Sequence, residues 1–230
     1  MYQEWTDFLK LSSLFRGINS ESISIMLDCL KPKIRRYKQR EIIVSYGQAF
    51  EGVGIIASGK VALTKETYSG NRIMMGILDA GDIFGETVAF SDLKVWAMTV
   101  IAHEDCVMLF LPPNKIGGNC SNVCGSHTTL IMTMLQILSN RTLMLDKKIE
   151  HTSANNIRGR ISSYLLDIYR QSADETFTIP MKRHELADYL GMPRPSLSRE
   201  MGLMRDAGII DFKGPVISIK NVLVLEESIQ

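Results

Sequence analysis

The 230-residue sequence predicts an α+β fold with a β-rich N-terminal domain, one long helix and a small C-terminal domain. Three observations carry this prediction. In Lys31–Pro113, short runs of β-forming residues recur about every ten residues. Thr128–Ser153 contains no glycine or proline, and after Asn155 helical and strand-like segments alternate. We therefore place the three parts at residues 1–127, 128–154 and 155–230.

The composition is that of an ordinary globular protein, with 45% hydrophobic and 22% charged residues. A formal net charge of +1 means that any binding to nucleic acid must come from a local basic patch. The N-terminus lacks the basic stretch and apolar run of a signal peptide. No segment approaches the roughly 20 continuous apolar residues that cross a bilayer. We therefore expect a cytoplasmic protein that does not bind membranes.

The N-terminal domain is expected to begin with two short helices and to continue as a β-barrel. Apolar residues recur every three or four positions over residues 5–30, with Asn19 and Ser20 placed to cap the second helix. Glycine-punctuated β-runs follow and predict a small antiparallel barrel of the jelly-roll (double-stranded β-helix) type. The runs are Ile42–Val44, Val53–Ala57, Val61–Thr64, Ile73–Leu78 and Cys106–Leu111.

The long helix carries an apolar seam in alternating steps of three and four residues. That spacing is typical of a helix that pairs with another helix over three heptads. A helix that continues past its own barrel needs a partner to bury its far side, so we predict a homodimer. The alternative is a helix that packs only on its own barrel. The predicted interface residues are Ile131, Leu135, Leu138, Thr142, Leu145 and Ile149.

The C-terminal domain has the element order of a winged helix-turn-helix. Asn155 and Asn156 can cap its first helix. The predicted elements are a helix over Ile157–Gln171, a strand over Thr176–Ile179, a helix over Arg183–Leu190, a turn at Gly191–Pro193, a helix over Pro195–Ala207 and two short strands around Lys213 and Gly214.

The second helix of that helix-turn-helix begins with guanidinium and hydroxyl groups. Arginine can bind guanine O6 and N7 with two hydrogen bonds, and serine can contact a base or a phosphate. Pro195 suits the first turn because an N–H there would have no partner. The alternative is a solvated helix start with ordinary surface charges. We predict that double-stranded DNA is contacted by Arg194, Ser196, Ser198 and Arg199, by Arg183 and His184 at the start of the preceding helix, and by Lys213 at the wing tip.

The whole chain resembles the CRP/FNR superfamily of bacterial transcription regulators. The matching segments are GIIASGKVAL, SGNRIMMGILDAGDIFGE, RGRISSYLL and MKRHELADYLGMPRPSLSREMGLMRDAGII. The resemblance implies that Arg194, Ser198 and Arg199 are among the residues that read the operator. Because a homodimer is two-fold symmetric, we expect a near-palindromic operator with half-sites about one helical turn apart. The resemblance places Pro195 where an acidic base-reading residue is frequent, which predicts a changed operator preference. Activation of transcription would also require a contact with RNA polymerase.

The resemblance also implies a sensor site in the barrel. In members that bind cyclic nucleotides, Gly85 and Glu86 would open the phosphate-binding segment, and an arginine followed by serine would stand at Trp96 and Ala97. Without the guanidinium, the cyclic phosphate loses charge-assisted hydrogen bonds. We therefore expect a small-molecule effector other than cyclic AMP. Trp96 and Met98, with Met74 and Met75, can form an apolar pocket for an aromatic or hydrophobic ligand, or simply barrel core. The candidate effector residues are Gly85, Glu86, Trp96, Ala97 and Met98.

Three interpretations compete with a DNA-binding regulator controlled by an effector in the barrel. One is a cyclic-nucleotide-binding signalling module without a DNA role, which the segment Met181–Ile210 disfavours. Cys120 and Cys124 are compatible with a redox- or metal-responsive regulator, but an iron–sulfur cluster would need Cys29 and Cys106 to converge with them. A barrel metalloenzyme would need several histidines and carboxylates on the strands, and His103 is the only histidine in the barrel segment. The histidines show no paired metal-ligand spacing. We therefore predict no metal site and no enzymatic activity.

Overall fold

The computed structural model of the chain describes residues 5–66, 72–117, 125–172 and 174–229. The chain divides into two compact units, Met1–Asn140 and Arg141–Gln230. Each unit has its own buried core. The domain boundaries at residues 127 and 154 stay a prediction.

The first unit begins with the two short helices that the sequence predicts. Helix α1 spans Thr6–Leu11, a 3-10 turn spans Ser13–Phe15, and α2 spans Ser20–Leu30. The Oδ1 atom of Asn19 accepts a hydrogen bond from the backbone N–H of Ser22 at 2.8 Å and so caps α2. One apolar face of these helices is buried against the barrel, formed by Leu9 of α1 and by Ile23, Met26, Leu27 and Leu30 of α2.

The barrel consists of two four-stranded antiparallel sheets, which confirms the predicted jelly roll. The strands are β1 Lys33–Tyr37, β2 Ile42–Val44, β3 Val53–Ser58, β4 Val61–Glu66, β5 Arg72–Leu78, β6 Ile83–Phe84, β7 Thr99–Ala102 and β8 Cys106–Leu111, with short helices α3 Glu86–Ala89 and α4 Pro113–Ile116. One sheet has the strand order β1-β8-β3-β6 and the other β2-β7-β4-β5.

Strands β3 and β8 are buried on both faces. Successive side chains of a strand point to opposite sides of its sheet. In β3, Ile55 joins the core between the barrel and the helices, whereas Ile56 joins the core between the two sheets. Leu109 and Phe110 divide in the same way in β8. This double burial explains why both segments read as continuous apolar runs.

Helix α5 spans Gly125–Ser153 and is 29 residues long. In its N-terminal part, Leu130 and Met134 are buried in the core of the first unit. Further along, it exposes large apolar side chains, described below. Among the helices in the described parts of the chain, none is both long and apolar enough to cross a membrane.

The second unit is the predicted winged helix-turn-helix. Its elements are α6 Ile157–Ser172, β9 Thr176–Thr178, α7 Arg183–Tyr189, α8 Arg194–Asp206, β10 Ile210–Lys213, β11 Val216–Ile219 and α9 Val222–Glu227. The three strands are antiparallel in the order β10-β11-β9. The Oδ1 atom of Asn156 accepts a hydrogen bond from the N–H of Gly159 at 2.6 Å, in the first turn of α6. Helix α9 was not predicted.

Candidate functional site

Helix α8 has one buried face and one exposed face. Leu197, Met201 and Met204 recur at helical spacing and are at most 1% exposed. Their burial in the second unit's core fixes the rotation of the helix about its axis. The opposite face presents polar side chains: Arg194, Ser198 and Arg199 are exposed, and Ser196 is partly buried. The polar groups predicted to contact DNA therefore lie on the outer side of α8.

The start of α8 differs by one position from the prediction. Pro193 is the residue that caps the helix, and its carbonyl accepts the N–H groups of Ser196 at 2.9 Å and Leu197 at 3.1 Å. Arg194, predicted as the cap-side residue, is instead the first helical residue. Pro195 follows it in the first turn, as predicted, and is exposed. A proline at this exposed position presents no hydrogen-bonding group to a base.

The turn between α7 and α8 holds the two helices in a fixed relation. Gly191 has φ of +65°, a left-handed conformation that glycine adopts without steric cost. The N–H of Met192 donates to the carbonyl of Ala187 at 3.0 Å, and Leu190 and Met192 are buried. The polar start of α8 is therefore positioned by packing in the turn before it.

Both acidic side chains of α8 are paired with arginine. The Nε atom of Arg158 on α6 donates to Oε1 of Glu200 at 2.6 Å. Arg205 pairs with Asp206 at 2.9 Å. These contacts reduce the repulsion that carboxylates on this helix would exert on a DNA phosphate.

An open groove of about 850 Å³ lies where α7, α8 and the wing meet. Its lining includes Lys182, His184, Arg194 and Gly214. The side chain of His184 is 57% exposed, and Lys213, next to Gly214 in the wing, is exposed as well. The positive charges of Lys182 and Arg194, with Lys213 nearby, make this groove suited to a phosphate backbone.

Arg183 occupies a different environment from the other predicted DNA contacts. Its side chain is partly buried and lies against the ring of Phe212 and the sulfur atom of Met201. Burial lowers the pKa of this guanidinium below its ordinary value. Phe212 was not predicted from the sequence, although an aromatic residue directly before a wing-tip lysine is a signal that could have found it.

In the barrel, the candidate effector residues lie around the indole of Trp96. Gly85 begins α3 with φ of +82°, and a Cβ atom there would come within 2.6 Å of the Trp96 ring. Trp96 is 1% exposed and packs on Phe50 and Phe84, with ring centroids 4.6 and 5.6 Å away. Glu86 is 1% exposed. The indole therefore covers the backbone at Gly85.

The other predicted members of that pocket are dispersed. Ala97 and Met98 are partly buried, and Met98 packs against the same core as Trp96. Met74 and Met75 are instead 61% and 64% exposed on β5. The structure thus places Trp96 and Met98 together and leaves the two methionines of β5 at the surface.

The predicted dimer seam is mostly uncovered. Leu135, Leu145 and Ile149 are 52%, 62% and 65% exposed, and Thr142 is exposed too. Ile131 and Leu138 lie nearer the barrel and are partly buried; Leu138 packs against the first unit's core. Water-exposed leucine and isoleucine in a row are unfavourable in an isolated helix and indicate a surface that another chain covers.

The metal and redox alternatives gain no support. Cys120 and Cys124 lie outside the described residues. Burial raises the pKa of the Cys106 thiol to about 11, so this thiol is protonated at neutral pH. Within residues 5–66, 72–117, 125–172 and 174–229, no group of three or more histidine, cysteine, aspartate or glutamate side chains is arranged to hold a metal ion.

A buried histidine, not predicted from the sequence, joins three helices of the second unit. Nδ1 of His151, near the end of α5, lies 3.0 Å from the hydroxyl of Tyr189 on α7. Its Nε2 lies 3.6 Å from Oδ2 of Asp167 on α6, which also accepts from Lys147 at 2.9 Å. The imidazole packs edge-on against Tyr164 of α6. Burial lowers the pKa of His151, although the carboxylates of Asp167 and Glu150 oppose part of that effect.

This burial predicts that acid weakens the second unit. An unfolded chain binds the histidine proton with a pKa near 6.5. The folded protein binds that proton less tightly, so its free energy of unfolding falls as the pH falls below about 6.5. We expect His151→Gln to show a shallower decline between about pH 7 and pH 5 than the parent protein, measured by urea unfolding followed by circular dichroism. The exposed His184 is the control, and His184→Gln should keep the parent profile. Equal slopes for the parent protein and His151→Gln would contradict this prediction.

Comparison with known proteins agrees with this geometry in both units. Residues 34–120 match the cyclic nucleotide-binding domain, and residues 159–228 match the Crp-like helix-turn-helix domain. The Cyclic AMP receptor protein of Thermus thermophilus is 24% identical, over 95% of this chain and 97% of its own length. The Global nitrogen regulator of Synechocystis is 24% identical, over 99% of each chain.

Solved structures show the same fold. The Catabolite Activator Protein of Thermus thermophilus superposes with a TM-score of 0.55 and 24% identity, covering 95% of this chain and 98% of that one. A CooA mutant from Carboxydothermus hydrogenoformans superposes with a TM-score of 0.53 and 18% identity, covering 88% of this chain and 90% of that one.

Proposed function

Because this chain belongs to the CRP/FNR superfamily of DNA-binding transcription regulators, we propose that it acts as a homodimer controlled by a small-molecule effector other than cyclic AMP. The effector would bind in the barrel near Gly85, Glu86, Trp96, Ala97 and Met98. In this role the protein would catalyse no reaction. It would act in the cytoplasm, where it would find its DNA operator.

The observation that carries the DNA-binding role is the outward face of α8. Arg194, Ser198 and Arg199 are exposed together at the N-terminal end of a helix whose other face is buried. We assign Arg194 and Arg199 to guanine and Ser196 and Ser198 to bases or phosphates. His184 and Lys213 flank this face and contribute to the affinity for the DNA backbone, whereas Arg183 is partly buried against Phe212 and Met201.

The exposed seam of α5 supports the homodimer. Two copies related by a two-fold axis would bury Leu135, Leu145 and Ile149 against their symmetry mates. The same symmetry would present two copies of α8 to DNA. It follows that the operator is near-palindromic, with half-sites about one helical turn apart. Activation would in addition need a contact with RNA polymerase.

The function is tested by selecting binding sites from a library of random duplexes with the full-length protein. A near-palindromic consensus, bound at physiological salt about 1,000-fold or more tighter than an unrelated duplex, is the expected result. Analytical ultracentrifugation of the complex should give two protein chains per duplex. Selection that returns no consensus would contradict sequence-specific binding.

Cyclic AMP is expected not to bind. Trp96 and Ala97 stand where the resemblance requires an arginine and a serine, and the indole of Trp96 covers the backbone at Gly85. Isothermal titration with cyclic AMP up to about 1 mM should give no heat of binding, because each lost charge-assisted hydrogen bond removes about 1.5–3 kcal/mol. A member that binds cyclic AMP serves as the positive control. Micromolar binding that disappears in Gly85→Val would overturn the assignment.

The effector would act by shifting an equilibrium between two states of the dimer. A ligand changes such an equilibrium only if its contacts differ between the states. One state would hold both copies of α8 at the spacing of two successive major grooves.

A further inference from the structure

Phe212 lies where the helix-turn-helix meets the wing. It is the third residue of β10, pairs with Ile217 of β11, and is followed by Lys213. The hairpin turns directly after Lys213, at Gly214 with φ of +62°. The ring of Phe212 is partly buried and packs against the core of the second unit. Any shift of this ring would therefore move Lys213.

Two guanidinium groups lie over the Phe212 ring. The Cζ atom of Arg183, the first residue of α7, is 4.9 Å from the ring centroid. The Cζ atom of Arg205, near the end of α8, is 5.5 Å from it. A cation within about 6 Å of an aromatic centroid is attracted by the π-electrons of the ring. The ring thus links both helices of the helix-turn-helix, α7 and α8, to the wing, which is the hairpin of β10 and β11.

Arg183 is bound more closely into this junction than Arg205. Its guanidinium also contacts the sulfur of Met201, a residue that is 1% exposed in the core face of α8. Arg205 is half exposed and pairs with Asp206 at 2.9 Å. Arg183 therefore makes contacts with α8 and with β10 that fix its side chain before any DNA arrives.

We propose that Arg183 is a positioning residue that acts through Phe212 to hold the wing, rather than a direct contact to a DNA phosphate. In this arrangement Arg183 holds Phe212, and Phe212 in turn positions Lys213 at the tip of the wing. The proposal rests on the proposed function in one respect, the contact of Lys213 with the DNA backbone. It deepens that function by separating a residue that orients the interface from a residue that contacts DNA.

The salt dependence of operator binding distinguishes the two roles of Arg183. Each phosphate contact contributes about 0.9 to the slope of log K against log salt, so a contact made by both subunits contributes about 1.8. Full-length Arg183→Ala, Phe212→Leu, Lys213→Ala and Arg183→Ala/Lys213→Ala are compared by fluorescence polarisation on the selected operator. Arg170→Ala removes an equal charge from an exposed site on α6 and is the matched control. Circular dichroism checks that each variant is folded.

If Arg183 acts through Phe212, the double variant has the same slope as Lys213→Ala. A slope lower by about a further 1.8 in the double variant would show a separate phosphate contact by Arg183 and overturn the proposal. Arg183→Ala and Phe212→Leu should each weaken operator binding about 2- to 30-fold per subunit, and combining them should add little. Fully additive losses would also overturn it.

The variant Arg183→Lys tests the positioning role of Arg183 independently of the salt dependence. Lysine keeps the positive charge but lacks the planar guanidinium that stacks on an aromatic ring. The Phe212 ring still attracts a lysine ammonium, so the proposal expects Arg183→Lys to lose less affinity than Arg183→Ala without reaching the parent value, whereas a simple phosphate contact would survive the substitution. Wild-type affinity in Arg183→Lys would therefore overturn the positioning role.

Comparison of Lys213→Ala with the parent protein tests the proposed function alone. An unchanged slope would mean that Lys213 makes no phosphate contact. The slopes of Lys213→Ala and of the double variant would still show whether Arg183 makes a phosphate contact of its own.

Discussion

Leu145→Glu is expected to dissociate the dimer and with it to abolish tight operator binding. Leu145 lies in the C-terminal half of the exposed seam of α5, between Thr142 and Ile149, and is 62% exposed in the single chain. Burial of a leucine side chain contributes about 1.5–3 kcal/mol. The change occurs in both subunits and brings two carboxylates together. The dimer dissociation constant should therefore rise at least about 100-fold.

Sedimentation velocity at micromolar concentration measures this change, and fluorescence polarisation measures its effect on operator affinity. Met144→Glu is the matched control, since Met144 is 69% exposed and lies one position off the seam. It adds the same charge to the same turn of the helix and should leave a dimer. A Leu145→Glu protein that remains dimeric at nanomolar concentration would show that the subunits associate through another surface.

Arg199→Ala is expected to remove most of the discrimination at one base pair of each half-site. Arg199 is exposed on the outer face of α8. Loss of a two-hydrogen-bond contact to guanine costs about 1–3 kcal/mol per half-site, which is about 5- to 150-fold. Affinity for unrelated duplexes should fall much less, because backbone contacts elsewhere are kept. The ratio of operator to unrelated-duplex affinity is therefore the quantity to measure.

Arg199→Lys refines the test, because lysine keeps the charge but cannot present the planar pair of donors. It should retain affinity for unrelated duplexes and lose the preference for the operator. Selection from a duplex library with Arg199→Ala should return a consensus that is relaxed at a single position. An unaltered consensus would mean that Arg199 does not read a base.

Periodicity and turn residues were enough to predict most of the fold. The glycine-punctuated runs located β2 and β8 at their observed bounds, and Gly191 with the neighbouring prolines located the turn before α8. Strand β1 was not named, because its sequence KIRRY is rich in cations and mostly exposed. Strand β6 has only two residues, too few to show a period.

The candidate sites were less predictable, because they depend on contacts between residues distant in the chain. Exposure of Arg199 follows from its spacing relative to Leu197 and Met201 in one helix. The contact of Arg183 with Phe212 depends instead on the tertiary packing of β10 against α7. Likewise, the burial of His151 requires α6 and α7 to be in place. Local pattern carries no information on such contacts.

The tryptophans have a practical consequence. The chain has two, Trp5 and Trp96, and both lie in the first unit, 7% and 1% exposed. Indole emission during denaturation therefore reports on the first unit alone, while ellipticity at 222 nm reports on helices throughout the chain. Coincident melting curves would mean that the whole chain unfolds cooperatively. Separated curves would mean that the second unit unfolds independently of the first.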